Sequence, residues 1–177
     1  PREPWAGGPV PAGHAIRGFH SVTLSLFGQE ETARLLTGTL RFRPAGADGP
    51  RARFETGEAG GVVDLLAQPD APAGEIAAGT VHHVAWRTPD DPSQLAWRET
   101  VARAGCDVTP VLDRQYFHSI YFREPGGVLF EIATDQPGFT VDEPADRLGS
   151  ALRLPQRLEP LRAELEVRLP AFTVPAS

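Results

Sequence analysis

Lysine and methionine are absent from this chain, and cysteine occurs once. Without lysine there is no amine for a Schiff base and no phosphate loop of the lysine-dependent kind. All 17 basic residues are arginine. The lone Cys106 excludes a disulfide framework and a cysteine zinc site, so a reducing, cytoplasmic setting is expected. No apolar run approaches the roughly 20 residues needed to cross a bilayer, and no basic segment leads into an apolar one as in a signal peptide. Positive charge is in deficit too. The net charge is -6 with no basic stripe, which argues against a nucleic-acid partner as the missing apolar run argues against a membrane.

What is there suits a globular chain: 41% hydrophobic and 23% charged residues over 177 positions, enough for one domain or two small repeats. Residues 1–13, PREPWAGGPVPAG, have the Pro/Gly density of a linker and suggest that another domain precedes them. Residues 14–135 then state one pattern twice, as modules 16–68 and 80–134. In the first, residues 16–24 are expected as a strand and 30–40 as a helix carrying Ala33, Leu36 and Leu40 at helical spacing. Strands are expected at 51–54 and 61–66. In the second, 80–87 is expected as a strand. Asp90-Asp91-Pro92-Ser93 is helix-start chemistry for a helix over 94–104, which Gly105 ends. Strands at 107–112, 117–123 and 127–134 follow, with Pro125-Gly126-Gly127 as the last turn. Each unit is therefore β-α-β-β-β. The fold class is α+β: two such modules forming a cupped mixed sheet, with a C-terminal tail over 136–177 that holds a short helix at 157–169. The leucines of that helix, Leu158, Leu161, Leu165 and Leu169, are expected to pack rather than to bind a cofactor.

The run from Tyr121 to Ile132 is the most informative. Glu131 is one carboxylate in an apolar strand, costly to bury unless something positive compensates it. Arg114 or Arg123 could serve as an ion-pair partner, or a bound cation could. Upstream, Val81-His82-His83-Val84-Ala85-Trp86 opens an apolar strand with two imidazoles. By strand parity they face opposite ways, so at most one enters a site. His83 shares its face with the small Ala85, which leaves room beside it. One histidine and one carboxylate on neighbouring strands make two-thirds of a metal site.

Two βαβββ units with a first-strand histidine and a last-strand glutamate resemble the vicinal oxygen chelate superfamily, which includes glyoxalases, extradiol dioxygenases and fosfomycin-resistance enzymes. The runs GTVHHVAW, DRQYFHSIYFREPGGVLFEIATDQPGF and FTVDEP resemble the C-terminal half of ring-cleaving dioxygenases acting on hydroquinones. That resemblance implies Fe(II) or Mn(II) held by two histidines and one carboxylate, with positions left open for substrate and oxygen. It places the ligands at His83 and Glu131, an acid–base tyrosine at Tyr121 and a substrate-side arginine at Arg114. His82 stands beside them as a further catalytic candidate. The third ligand is open. His20 lies one module length before His83. Aligning Val22-Thr23-Leu24 with Val84-Ala85-Trp86, however, matches His20 to His82 and puts Ser21 in the place of His83. In the hydroquinone enzymes this ligand comes from an N-terminal half, so a missing N-terminal module or a homo-oligomer is the expected partner.

The expected activity is extradiol-type cleavage of hydroquinone- or catechol-like aromatics with oxygen, by this chain or by a whole of which it is the C-terminal half. A glyoxalase-like lyase or isomerase would use the same scaffold with a redox-inert metal. A non-catalytic module binding small aromatics would need no metal at all. His118, opposite in parity to Tyr121, is expected beside the site or at the surface, and His14, in the linker, has no assigned role.

Overall fold

The computed structural model describes residues 3–57 and 61–171. The first two residues of the expected linker and the last six of the expected tail lie outside the described residues. Residues 3–20 hold neither helix nor strand. Strand β1, Ser21–Leu26, turns Leu24 and Leu26 inward and Thr23 and Ser25 outward, the alternation of a half-buried strand. Helix α1, Glu30–Arg34, continues through a π-helical turn at Leu35–Thr39 that buries Leu35 and Leu36. The hairpin β2, Arg43–Asp48, and β3, Arg51–Thr56, leads to β4, Gly61–Ala67. β4 lies parallel to β1 and antiparallel to β3, giving the order β1-β4-β3-β2.

The second module repeats this plan. Strand β5, Val84–Thr88, leads to helix α2, Asp91–Arg103, whose start is capped where Asp90 accepts the Ser93 N–H at 2.9 Å. Strands β6, Leu112–Asp113, β7, Phe117–Arg123, and β8, Leu129–Pro137, complete a sheet of order β5-β8-β7-β6. Gln94 fastens α2 to this sheet: its buried amide donates to the carbonyls of His118 and Ile132 at 2.7 and 2.8 Å. The tail follows as short 3-10 turns and helix α3, Arg162–Arg168.

One core joins the modules. Phe42 of the first meets Trp86 of the second edge-on at 5.2 Å, and Trp86, Phe130 and Phe122 continue the chain of edge-to-face rings. Because this core occupies the helix side of each sheet, the opposite faces are free to carry chemistry. On the second sheet that face holds Ser119 and Tyr121 of β7 with Glu131 and Ala133 of β8.

Several boundaries differ from the sequence expectation, and β2 lies where no strand was expected. The strand expected over 16–24 begins only at Ser21, after Gly18 takes a positive φ of 125°. The strand expected over 107–112 reduces to one bridge, Val108 to Phe122, and the two residues of β6. Pro110, which has no N–H to donate, interrupts the pairing. The strand expected from residue 80 begins at Val84, so His82 and His83 stand just before β5.

Candidate functional site

Glu131 is the organising group. It sits mid-strand in β8, between β5, where Ala85 is its partner, and β7, where Tyr121 is. Its side chain is 3% exposed. Two hydroxyls donate to Oε1: Tyr121 at 2.8 Å, and the buried Ser119 through a short hydrogen bond. The other oxygen, Oε2, lies 2.6 Å from His83 Nε2. Neither arginine weighed as an ion-pair partner takes that role. Arg123 donates to the Gly127 carbonyl, and the Arg114 guanidinium lies over the Tyr121 ring, 5.2 Å from its centre.

His83 reaches Glu131 from outside the sheet, and at His82 strand parity misleads. Ahead of β5 the two histidine rings turn toward each other edge-to-face, with their Nδ1 atoms 2.8 Å apart, rather than to opposite sides. A proton must lie between those nitrogens. When His83 supplies it, its Nε2 keeps a lone pair available to a metal. His83 Nε2 faces Glu131 Oε2 at 2.6 Å, and these are the two atoms that could together hold a divalent cation. An imidazole nitrogen and a carboxylate oxygen, converging with no guanidinium to neutralise them, are a fitting donor pair for such a cation. Among the described residues no group of three histidine, cysteine, aspartate or glutamate side chains gathers as a metal site, so His20 does not join the pair. His20 is exposed, with Nδ1 3.2 Å from its neighbour Ser21 Oγ.

Tyr121 stands at the centre of the expected residues. Its hydroxyl is on Glu131, its ring meets the His83 ring edge-on at 5.9 Å, and Arg114 lies over it. The structure thus brings His82, His83, Arg114, Tyr121 and Glu131 together in one continuous set of contacts. His118 lies on the helix side of the sheet, where it meets Asp91 at 2.6 Å. Cys106 is packed against the core, and burial together with the Glu124 carboxylate pushes its thiol pKa up, away from nucleophilic chemistry. Neither of two cavities elsewhere is lined by His83, Tyr121 or Glu131. One of about 1160 Å³, between the start of α2 and the tail, touches Arg114, and one of about 500 Å³ touches His82 and Arg123.

Ser119 was not among the expected site residues. Its only sequence signal is parity, two residues before Tyr121 on the same strand face. A second unexpected feature is the counterpart of Glu131 in the first module. Asp64 sits on β4 opposite Thr23 of β1 and Arg53 of β3, as Glu131 sits opposite Ala85 and Tyr121. There arginines neutralise the carboxylate. Arg53 donates to both oxygens at 2.7 and 2.8 Å, and Arg51 to Oδ2 at 3.1 Å. The hydrogen bond from Arg53, supported by the charge of both guanidiniums and opposed by burial, holds Asp64 below the usual carboxylate range. Its stabilising contribution is thus present above the unfolded value of about 3.9 and fades as pH falls through the depressed folded value. Asp64→Asn is expected to cost about 1–2 kcal/mol at neutral pH, small because both arginines remain partly in water. Urea midpoints measured from pH 7 downward should show a constant gap between parent and variant above about pH 4, narrowing as pH falls below it toward the depressed folded value. A gap that does not begin to narrow below about pH 4 would contradict this.

No helix among the described residues is long and apolar enough to cross a membrane. Residues 20–132 match the family model described as Glyoxalase/Bleomycin resistance protein/Dioxygenase superfamily. The chain is 44% identical over 171 residues to MhqO of Bacillus subtilis (strain 168), named as a ring-cleaving dioxygenase, covering 96% of this chain and 54% of that protein. It is 38% identical over 168 residues to the chlorohydroquinone/hydroquinone 1,2-dioxygenase of Sphingobium indicum, covering 92% of this chain and 52% of that one. A crystal structure of a Bacillus subtilis dioxygenase superposes with a TM-score of 0.90 at 43% identity, covering 98% of this chain and 57% of the other. The chain therefore spans about half the length of these relatives. With its fold, its repeated modules and its match over residues 20–132, the chain belongs to the glyoxalase/bleomycin resistance protein/dioxygenase superfamily.

Proposed function

We propose that this chain carries the catalytic face of a metal-dependent, extradiol-type ring-cleaving dioxygenase acting on hydroquinone- or catechol-like aromatics. One observation carries the reading. Of two matching buried carboxylates, Asp64 is neutralised by arginines, whereas Glu131, among the described residues, meets an imidazole and two hydroxyls. A carboxylate paired with no arginine among the described residues, in a family whose relatives are named for ring cleavage, suits a metal ligand.

In this reading His83 Nε2 and Glu131 Oε2 hold the metal, Fe(II) or Mn(II). The third ligand of a facial triad comes from the part of the relatives' length that this chain does not span, or from a second copy. When bound, the metal supplies Lewis acidity that favours an ionised phenol, together with redox chemistry toward oxygen. The chain's own residues do the rest. His82 fixes the ring of His83 through the paired Nδ1 atoms. Tyr121 moves a proton at its hydroxyl, which points at the carboxylate and stands beside His83. Arg114 keeps a permanent charge over that ring and steadies an anionic substrate.

Oxygen uptake by the metal-loaded chain, measured with a hydroquinone as substrate, tests the proposal. Consumption of one O₂ per ring lost is expected. Aromatic turnover with no oxygen consumed would replace it with an isomerase or lyase, and ligand affinity that survives His83→Ala without turnover would point to a binding module. Tyr121→Phe removes the hydroxyl, with its transferable proton and its hydrogen bond to Glu131, and is expected to lower kcat about 100-fold with KM little changed. An unchanged kcat would leave Tyr121 as a strand aromatic.

A further inference from the structure

Glu131 is addressed by three side chains that do not divide it evenly. Ser119 and Tyr121 both donate to Oε1, and His83 faces Oε2 alone. The terminal torsion of a glutamate is soft, so an unheld carboxylate could offer a metal either oxygen or both. Two donors on one oxygen remove that freedom. They are also unlike each other. Ser119 is wholly buried, and among the described residues its hydroxyl makes this one hydrogen bond. Tyr121 is only half-buried, and its ring is held independently by His83 and Arg114. Its hydroxyl can leave the carboxylate without displacing the ring, while that of Ser119, wholly buried, has no solvent to turn to. β7 places them two residues apart on one face, so a single strand supplies the fixed donor and the exchangeable one.

Resting on the metal reading above, we propose that Ser119 is a positioning residue that locks Glu131 into one-oxygen presentation, Oε1 capped and Oε2 turned to the metal. It thereby leaves Tyr121 free to exchange its hydrogen bond for one to the substrate.

The test is Mn(II) affinity of the full chain, read from the free-ion electron paramagnetic resonance signal, with unfolding midpoints recorded beside it. Ser119→Ala is expected to weaken Mn(II) binding about 10-fold, within the range found when a group supporting a metal ligand is removed. Tyr121→Phe should weaken it by less than about threefold, because Ser119 still holds Oε1. Ser119→Thr keeps the hydroxyl on a strand that tolerates β-branching, and should bind within about threefold of the parent. Parent affinity in a folded Ser119→Ala variant would overturn the proposal while leaving the metal reading intact. So would a larger loss in Tyr121→Phe than in Ser119→Ala. Should the alanine variant fail to fold, Ser119→Thr decides: lost binding with an intact fold overturns it. Equal Mn(II) binding by the parent and Glu131→Gln would sink the metal reading itself, and this inference with it.

Discussion

Under the proposed function, Glu131→Gln is expected to abolish ring cleavage, a fall of more than about 1,000-fold or about 4 kcal/mol of transition-state stabilisation, without destabilising the fold. The two halves of that result come from one geometry. Glutamine keeps the shape of the side chain, and its carbonyl still accepts from Ser119 and Tyr121 where Oε1 does now. Its amide can face the His83 nitrogen that now meets Oε2. What disappears is a negative charge that is 3% exposed and faces no arginine, so its desolvation cost disappears too. Stability should stay within about 1 kcal/mol of the parent or rise, since removing a charge kept for function relieves strain on the fold. Were Glu131 a structural ion-pair member, the same change would cost roughly 3–5 kcal/mol. Paired measurements of oxygen uptake and urea midpoint separate these cases. A stable, inactive variant supports the site; an unstable one makes Glu131 a brace.

The fold was legible from the sequence where periodicity and end signals agreed. The β7–β8 hairpin stands out because apolar alternation runs to Pro125-Gly126-Gly127 and resumes, and α2 because Asp90 and Gly105 mark its ends. Glu131 and Tyr121 follow directly, since the turn between them sets which residues face each other across the hairpin. Parity put His83 on the face of Ala85 and Glu131, where it is found, but failed at His82, because it presumes a strand and β5 starts only after both histidines. No local signal could reveal that their rings meet. Ser119 is as silent in the sequence as any strand serine. Asp64 was visible in principle: carrying the module alignment from β1 and β5 on to β4 and β8 sets it on Glu131. That its partners are arginines, where Glu131 has tyrosine and serine, depends on the register of β3 and β7, which alignment of the apolar runs does not settle.

Glu124→Ala is expected to cost about 4 kcal/mol, the largest stability loss among these substitutions, lowering the melting temperature by on the order of 10 °C. Glu124 follows β7 and its side chain turns back into the β7–β8 hairpin, 2% exposed. Oε1 accepts the Val128 N–H at 2.7 Å, while Oε2 accepts the Gly126 N–H at 2.8 Å and the buried Thr32 hydroxyl of α1 at 2.5 Å. One carboxylate thus ties the turn to itself and the second module to the first. Space for it depends on Gly126, where a Cβ would fall 2.5 Å from a Leu26 methyl and 2.9 Å from Oε1. Alanine would leave three donors without an acceptor, one of them in the core. Glutamine should fall between. Its oxygen can serve Val128 and its amide can donate to a reoriented Thr32 hydroxyl, but the Gly126 N–H would then face another donor. The ordering parent, glutamine, alanine in urea midpoint is the diagnostic result, and an alanine variant within 1 kcal/mol of the parent, a margin set by the ordinary worth of one hydrogen bond, would refute the tie. Because β7 and β8 also carry Ser119, Tyr121 and Glu131, loosening this turn should weaken Mn(II) binding as well. Loss in Glu124→Ala with partial recovery in Glu124→Gln would show that the inter-module contact holds the site's geometry as well as its stability.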